Sequence, residues 1–334
     1  MADYQDIRGL RVKYLSADPS TATTGEVWYN STSGTLKATV MSTAAWSSGG
    51  NLGTARYQCN GQTSGSKTAG LIAGGAGGAP ASHYSITEEY NGTGWAVGGA
   101  LPKTSSNYGM VGTQTATVMF AGVAAPSASP APPGSMTASN QSNEYNGASW
   151  TTSPGSYPAS LESVCGAGTQ TAALGMGGWN EQNTTAEYDG ATWTAATVLP
   201  TGKDKASAFG SQTAAAIFGG NGGQTTTDEY NGTGWTAGGT CLAVDESGAS
   251  GTLINGLGFG GQVPNTDTTT QAYDGTSWAT SVSMATGRSS GSSAGIPTDG
   301  SYYAGGGNPS GTAMRAYTEE FSASVAETQT LTTS

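Results

Sequence analysis

Short apolar runs recur along the chain, and each ends in glycine. The clearest are "GSKTAGLIAGG" from Gly65, "GTQTATVMFAG" from Gly112, "GTQTAALGMGG" from Gly168 and "GSQTAAAIFGG" from Gly210, with weaker copies from Gly251 and Asp299. Each of the first five runs is followed by an aromatic strand, an Asn-Gly or Asp-Gly turn and a tryptophan, as in "EEYNGTGW". One unit therefore predicts four short antiparallel strands.

The unit repeats at nearly constant spacing. The tyrosines before the turns follow one another at intervals of 55, 43, 42 and 43 residues. A period of about 40 to 50 residues with four strands per unit is typical of a β-propeller. We therefore predict an all-β fold, a six-bladed propeller with four strands per blade.

The tryptophans indicate how the ring closes. Trp46 precedes the first complete unit, whereas no tryptophan follows Phe321, which takes the sixth tyrosine position. We predict that the N-terminal strand at Trp46 completes the last blade and closes the ring. The repeated aromatics are assigned to packing within the ring. They are Trp46, Tyr90, Trp95, Tyr145, Trp150, Tyr188, Trp193, Tyr230, Trp235, Tyr273, Trp278 and Phe321.

Glutamates recur beside these aromatics, and we expect them to bind backbone or hydroxyl partners rather than to act in catalysis. They are Glu89, Glu144, Glu187, Glu229 and Glu320.

The repeat also sets the domain bounds. Residues 1–42 form an N-terminal arm and hairpin, residues 43–325 the propeller, and residues 326–334 a C-terminal tail. Arg8, Arg11 and Lys13 concentrate basic charge in the arm of an otherwise acidic chain. We interpret the arm as an attachment or oligomerisation element that docks on an acidic partner surface; the alternative is a solvated tail.

Composition excludes several classes of protein. The formal net charge is -11 and only 11 residues are basic, so the chain offers no broad phosphate-binding surface, and we expect no nucleic-acid partner. No run approaches the 18 apolar residues of a membrane span, and the acidic start lacks the apolar core of a secretory signal, so no membrane insertion is expected. Three separated cysteines and a single histidine, His83, supply neither a disulfide framework nor metal ligands. We expect no cofactor.

The variable loops locate the predicted binding surface. From the glycine pair to the next aromatic the spacing ranges from 10 to 23 residues, whereas the turn before each tryptophan is constant. Length variation on a fixed scaffold is typical of functional loops, so we predict contacts from residues 76–85, 123–140 and 263–269. The proline-rich 123–140 segment is a binding arm or, equally, a solvated spacer. The candidate binding residues are Ala76, His83, Val123, Pro126, Pro130, Pro132, Pro133, Asn140, Asn265 and Asp267.

One acidic set falls outside the repeated glutamates. Glu162, Asp204 and Asp245 each lie six residues before the aligned glycine of a unit. Successive blades could place these carboxylates on one rim, a geometry used for glycoside hydrolysis or calcium binding. Lys203 and Lys205 flank Asp204, and local neutralisation is the simpler interpretation. We therefore expect no enzyme, no catalytic residue and no metal site.

The Gly-Gly, Tyr and Trp pattern is similar to the kelch repeat, with Tyr and Trp five residues apart. Residues 46–321 carry this resemblance. The phrases "GTQTAA", "NLGTARY" and the leader "GEVWYNSTSGTLK" resemble kelch-like virion proteins of tailed bacteriophages, either tail fibre-associated or decorating the capsid.

The resemblance implies a non-catalytic structural protein on the virion surface, tail-associated, that binds a host surface glycan or protein. Its other partners would be virion proteins, contacted through the N-terminal arm, and further copies of itself in the particle. It would be made in the host cytoplasm and released by lysis. The alternatives are a capsid decoration protein, and a carbohydrate-binding propeller or a glycan-degrading enzyme outside any virion.

Overall fold

A computed structural model describes residues 12–59, 61–77, 83–125, 136–263, 267–308 and 313–332, with the backbone alone at 61–64. The described residues contain 31 β-strands and no helix, so the predicted all-β fold is confirmed. None of them lies in a helix that could cross a membrane. By their internal contacts, the described residues up to Ala44 and from Ala323 onward form one compact unit, and Ala45–Ser322 form a larger one.

The strands in chain order are β1 (Lys13–Leu15), β2 (Val27–Asn30), β3 (Thr35–Met41), β4 (Ala45–Ser48), β5 (Gly61–Ser66), β6 (Ala69–Ala73), β7 (Thr87–Tyr90), β8 (Trp95–Val97), β9 (Ser105–Ser106), β10 (Gly109–Thr113), β11 (Ala116–Phe120), β12 (Val123–Ala124), β13 (Thr137–Ala138), β14 (Ser142–Tyr145), β15 (Trp150–Thr152), β16 (Cys165–Thr169), β17 (Ala172–Met176), β18 (Thr185–Tyr188), β19 (Trp193–Ala195), β20 (Ser207–Ser211), β21 (Ala214–Phe218), β22 (Thr227–Tyr230), β23 (Trp235–Ala237), β24 (Gly248–Thr252), β25 (Asn255–Phe259), β26 (Thr270–Tyr273), β27 (Trp278–Ser281), β28 (Ser292–Ile296), β29 (Gly300–Ala304), β30 (Thr318–Ser322) and β31 (Ala326–Thr330).

The smaller unit is a four-stranded sheet in the order β1-β2-β3-β31. Strands β2 and β3 form an antiparallel hairpin, and β31 pairs with β3. The segment 326–334, which the sequence sets apart as a tail, therefore contributes a strand to the sheet of the leader. Trp28 is buried and donates to Asp18 at 3.0 Å. Lys37 also binds that carboxylate, at 2.7 Å, and lowers the pKa of Asp18 to about 2.

The larger unit repeats one antiparallel four-stranded sheet. Sheets 1 to 6 are named in chain order: β5 to β8; β10, β11, β14 and β15; β16 to β19; β20 to β23; β24 to β27; and β28 to β30 with β4. Parallel pairing of β5 with β10 joins sheets 1 and 2. In sheet 6, β4 pairs with β30 and places Trp46 opposite Phe321. The architecture is that of a multi-blade, β-propeller-like fold.

Turn chemistry explains why each repeat forms a hairpin. The side chain of Asn231 accepts hydrogen bonds from the backbone N–H groups of Thr233 and Gly234, both at 3.0 Å. Gly232 has φ of 88°, which a residue with a side chain adopts only with strain. The turn therefore fixes the register that brings Tyr230 opposite Trp235.

The apolar core lies between neighbouring sheets. One cluster joins Leu174 and Met176 of sheet 3 to Ile217 and Tyr230 of sheet 4, and each of the other clusters likewise joins two sheets. In sheets 1 to 5 the tryptophan of the fourth strand packs on the tyrosine across the hairpin, with ring centroids 4.8 to 5.0 Å apart. Apolar burial between sheets is thus the main stabilising contribution.

Hydrogen bonds between tyrosine and glutamate also link successive sheets. Each tyrosine hydroxyl donates to the glutamate of the preceding sheet, so the glutamates take hydroxyl partners as the sequence predicts. The pairs are Tyr145 with Glu89 at 2.5 Å, Tyr188 with Glu144 at 2.5 Å, Tyr230 with Glu187 at 2.8 Å, Tyr273 with Glu229, and Tyr90 with Glu320. At the corresponding position between sheets 5 and 6, Ala272 and Phe321 replace both partners.

Candidate functional site

The connections between second and third strands, and those from one sheet to the next, lie at the same end of the antiparallel sheets. We call this the loop end, and the opposite end, with the Asn-Gly and Asp-Gly turns, the hairpin end. At the loop end each sheet contacts the next: the second glycine of each pair donates its N–H to a backbone carbonyl just before the next first strand. These bonds run from Gly75 to Ser105, Gly122 to Leu161, Gly178 to Lys203, Gly220 to Val244, Gly261 to Arg288 and Gly306 to Arg56, at 2.7 to 2.9 Å.

Six residues with left-handed backbone form a rim at the loop end, one before the first strand of each sheet. They are Gln58, Asn107, Ser163, Lys205, Glu246 and Ser290, with φ between 50° and 58°. Backbone bonds link several of them across sheets, as from Asn107 N to the Gln58 carbonyl at 3.1 Å and from Ser290 N to the Glu246 carbonyl at 2.9 Å. A left-handed residue with a side chain costs on the order of 1 kcal/mol, so the surrounding structure must hold this conformation.

The three predicted acidic residues directly precede rim residues of sheets 3, 4 and 5. Glu162 accepts a hydrogen bond from Asn107 at 3.3 Å, and Asp204 accepts one from the Asn180 backbone at 3.4 Å. Asp204 and Asp245 are 3% and 8% exposed, and the Oδ1 atom of each lacks a hydrogen-bond partner. Burial raises the pKa of Asp204 and, together with the charge of Glu246, raises the pKa of Asp245 to about 7.

Of the two lysines that flank Asp204, Lys203 does not neutralise it. Its ammonium binds the Thr226 hydroxyl at 2.8 Å and lies 3.7 Å from Asp228 within sheet 4. Lys205 pairs with Glu246 at 2.9 Å, and its charge also lowers the pKa of Asp204, against the larger effect of burial. The expected local neutralisation therefore comes from Lys205 alone and is incomplete.

Lys203 belongs to a set of buried ion pairs that the sequence analysis missed. Arg56 pairs with Glu88, and Arg288 pairs with Glu319 at 3.0 Å, at the corresponding positions of sheets 1 and 6. Elsewhere both positions are uncharged, as with Leu161 and Ala186, Val244 and Gln271, or Ser105 and Asn143. The sequence signal for these pairs was therefore a correlation between the two positions: a basic residue at the first occurs only where the second is acidic. Each buried pair joins groups of a single sheet, which assigns these pairs to structure.

No group of three or more histidine, cysteine or acidic side chains within the described ranges could hold a metal ion. Cys59, Cys165 and Cys241 are buried and free, and burial raises the pKa of each thiol.

A polar groove lies beside the long insertion of sheet 2. Strands β9, β12 and β13 form a three-stranded sheet there. The groove has a volume of about 310 Å³, and Lys103 and Asn140 are exposed in it. Its described lining residues are Lys103, Ala124, Ala125, Thr137, Ala138, Ser139, Asn140 and Ser160. Hydroxyl, amide and ammonium groups thus line a cleft with a small apolar floor, which suits a ligand rich in hydroxyl or carboxylate groups.

The described binding candidates differ in their access to solvent. Asn140 is exposed in the groove, and Val123 is half-buried in β12. Ala76 is 1% exposed, because its backbone pairs with Tyr57 and His83. It was predicted to contact a ligand from the loop, but it offers no surface for such a contact. His83 is half-buried, with Nδ1 3.1 Å from the Ser106 hydroxyl, and burial lowers its pKa.

Asp267 is half-buried and accepts hydrogen bonds from the backbone N–H of Thr269 at 2.9 Å and from its hydroxyl at 2.8 Å, so its carboxylate shapes the loop. The remaining candidates lie outside the described residues, as do Arg8 and Arg11 of the arm. Those candidates are Pro126, Pro130, Pro132, Pro133 and Asn265.

Comparison with known proteins identifies the fold. The chain is similar to the solved structure of YjhT, with a TM-score of 0.65 and 12% sequence identity, over 84% of this chain and 99% of that chain. At this identity the likeness shows the fold alone. No protein-family model matches the sequence, and no curated protein matches it.

Proposed function

We propose that the larger unit is a closed, six-bladed, kelch-like propeller that binds a polar ligand at its loop end without catalysis. Closure is supported by the first strands of sheets 1 to 6, which contact one another in succession, with β28 contacting β5. The hydrogen bonds from Gly306 to Arg56 and from Tyr90 to Glu320 also join the last sheet to the first. In this ring each sheet is one blade.

The observation that carries the binding function is the groove beside β12 and β13. It lies at the loop end, where the longest predicted binding segment leaves the second sheet, and its polar lining includes the exposed ammonium of Lys103. By contrast, the repeated tyrosines, tryptophans and glutamates are engaged in contacts between or within sheets. A rigid ring that presents a variable loop cleft is the usual basis of recognition on propellers.

The ligand we propose is a host surface glycan. Serine, threonine and asparagine side chains supply paired donors and acceptors for sugar hydroxyls, and Lys103 favours a glycan that also carries carboxylate or phosphate. The resemblance of the repeats and leader to phage virion proteins supports a place on the virion surface, associated with the tail.

The smaller unit is our candidate for attachment to other virion proteins. It exposes apolar and aromatic side chains, including Tyr14 at 74% and Leu331 at 43%. Lys13, the described member of the basic arm, is already paired with Glu26, so apolar contact rather than its charge would dominate docking.

Competition of adsorption tests this function. Purified protein added before infection should reduce phage adsorption to host cells, and the Lys103→Ala, Thr137→Ala variant should compete less well. A matched variant, Lys13→Ala, Thr236→Ala, changes the same residue types at positions that do not line the groove, and it should compete like the wild type. If neither the wild type nor the variants bind host cells or compete, the proposed function is wrong.

A further inference from the structure

A second, smaller pocket adjoins the polar groove. It has a volume of about 110 Å³ and is bounded by Pro158, Thr185, Ala186, Ala195 and Val198, with Tyr157 at its base. The segment from Tyr157 to Ser160 separates the two, since Pro158 faces the pocket and Ser160 lines the groove. One extended ligand could therefore occupy both.

The hydroxyl of Thr185 distinguishes this pocket from the corresponding positions of the other sheets. In those sheets the first residue of the third strand accepts a hydrogen bond from the indole N–H of the next sheet's tryptophan. These bonds join Trp150 to Thr87, Trp193 to Ser142, Trp278 to Thr227 and Trp95 to Thr318 at 2.9 Å, and Trp46 to Thr270 at 3.0 Å. Thr185 is 3% exposed, and its hydroxyl has no partner.

The missing bond has a cause in the sequence. Sheets 1, 4 and 6 carry a glycine pair after the fourth strand, as at Gly238 and Gly239, but sheets 2 and 5 keep the indole bond without one. In sheet 5 the carbonyl of Val282 also accepts the indole N–H of Trp46, at 3.1 Å, and Trp46 still donates to Thr270. Sheet 3 has Thr197 at the position of Val282, so the difference lies in the threonine hydroxyl.

Thr197 redirects the neighbouring tryptophan. Its hydroxyl binds the Thr233 carbonyl at 2.7 Å, and its own carbonyl accepts the indole N–H of Trp235 at 2.9 Å. Trp235 therefore does not donate to Thr185, and Thr185 is one of the residues that line the pocket.

Tyr157 adds a second hydroxyl. Its side chain is 1% exposed, and its oxygen has no partner of good hydrogen-bond geometry. Burial raises the pKa of Tyr157, and an interaction with Thr184 offsets this only in part. The pocket thus combines apolar walls with two buried hydroxyls.

We propose that this pocket binds the acetamido group of an N-acetylated hexosamine, an inference that rests on the proposed glycan-binding function. The volume of about 110 Å³ is three to four times the roughly 30 Å³ that one water molecule takes in the liquid, and an acetamido group has four non-hydrogen atoms. Its methyl group would pack on Ala186, Ala195 and Val198. Its carbonyl would accept from Thr185, and the sugar ring would lie toward the groove.

Ligand-observed NMR with simple glycosides tests the proposal. The probes are methyl N-acetylglucosaminide, methyl glucoside and methyl rhamnoside, each added to the full-length protein. We expect the acetamido methyl to receive the strongest saturation transfer, and the N-acetylated probe to bind about tenfold more tightly than the glucoside, the ratio that one buried hydrogen bond supplies.

Three variants separate the contributions. Thr185→Val keeps the shape and removes the hydroxyl, and Ala195→Leu fills the pocket from its exposed side; both should abolish the preference for the N-acetylated probe. Thr197→Val, which places at this position the residue type that sheet 5 has at Val282, should let Trp235 donate to Thr185 and have the same effect. Thr185→Ser, which keeps a hydroxyl, should retain the preference, and thermal melts confirm that each variant is folded.

The outcomes distinguish the inference from the function on which it rests. Equal binding of the three probes, a preference for the rhamnoside, or an unchanged preference in folded Thr185→Val overturns the acetamido site even when host cells are bound through the groove. Selective binding of the N-acetylated probe that is lost in Thr185→Val, without any binding to host cells, upholds the pocket and overturns the proposed function.

Discussion

Tyr90 and Glu320 lie 230 residues apart in the chain, and the hydroxyl of the first donates to the carboxylate of the second. The same bond links the earlier pairs of neighbouring sheets, and it is missing only where Ala272 and Phe321 replace both partners. A tyrosine without an acceptor would bury an unpaired hydroxyl, and a glutamate without a donor would leave a carboxylate without its partner. The two substitutions therefore compensate for each other.

Restoring the missing pair should show this coupling. Phe321 is 4% exposed, so Phe321→Tyr alone should destabilise the protein by about 1 to 3 kcal/mol, because its hydroxyl lacks an acceptor. Adding Ala272→Glu should recover about 1 to 2 kcal/mol in a double-mutant cycle measured by urea unfolding. Additive effects of the two changes would show that these positions do not face each other.

Removing the tryptophan of β4 should weaken the whole larger unit. Trp46 packs on Phe259 and Phe321 and donates to Thr270, so Trp46→Ala should cost about 3 kcal/mol in unfolding free energy. Trp179 is 51% exposed and lies outside the repeat, and Trp179→Ala should change stability by less than about 0.5 kcal/mol. Similar unfolding midpoints for the two variants would contradict the proposed role of β4 in ring closure.

Stability should depend on pH through Asp245. Its pKa is raised from 3.8 to about 7 in the folded protein, chiefly by burial, so the folded state keeps a proton that the unfolded chain loses. This group therefore makes the protein less stable as pH rises from about 4 to about 7, with no further change above that range. Thermal melts should show a smaller decrease for Asp245→Asn, whereas Asp299→Asn, at an exposed turn, should behave as wild type.

The acidic residues of the loop end should not support catalysis. Glu162→Gln, Asp204→Asn and Asp245→Asn should leave glycan binding and the integrity of the bound polysaccharide unchanged. Release of reducing sugar by the wild type that disappears in any of these variants would show that the protein is a glycan-degrading enzyme.

Much of the fold follows from the sequence because its signals are local. Glycine-ended apolar runs define buried strands, and Asn-Gly or Asp-Gly turns fix the hairpin that pairs Tyr230 with Trp235. The single tryptophan strand before the first complete unit predicts the pairing of Trp46 with Phe321, which the structure contains. These features need no knowledge of distant packing.

The candidate site was less predictable because it depends on contacts between sheets. The orientation of Lys203 toward Asp228 depends on the backbone path of an irregular segment, which sequence spacing does not fix. The unpaired hydroxyl of Thr185 arises from one redirected indole, and its signal is visible only once Thr197 is aligned with the residues that follow the fourth strands of the other repeats. The loop segment 123–140 was located from its length, but length does not reveal a groove.

Binding of purified polysaccharide by the groove variants tests the central claim most directly. The wild-type protein is titrated calorimetrically with polysaccharide from the cells it adsorbs to, beside Lys103→Ala, Thr137→Ala and the matched variant Lys13→Ala, Thr236→Ala. We predict that the groove variant loses at least about tenfold in affinity, equivalent to about 1.4 kcal/mol, while the matched variant binds like the wild type. Equal affinity of all three folded proteins would contradict ligand binding at this groove.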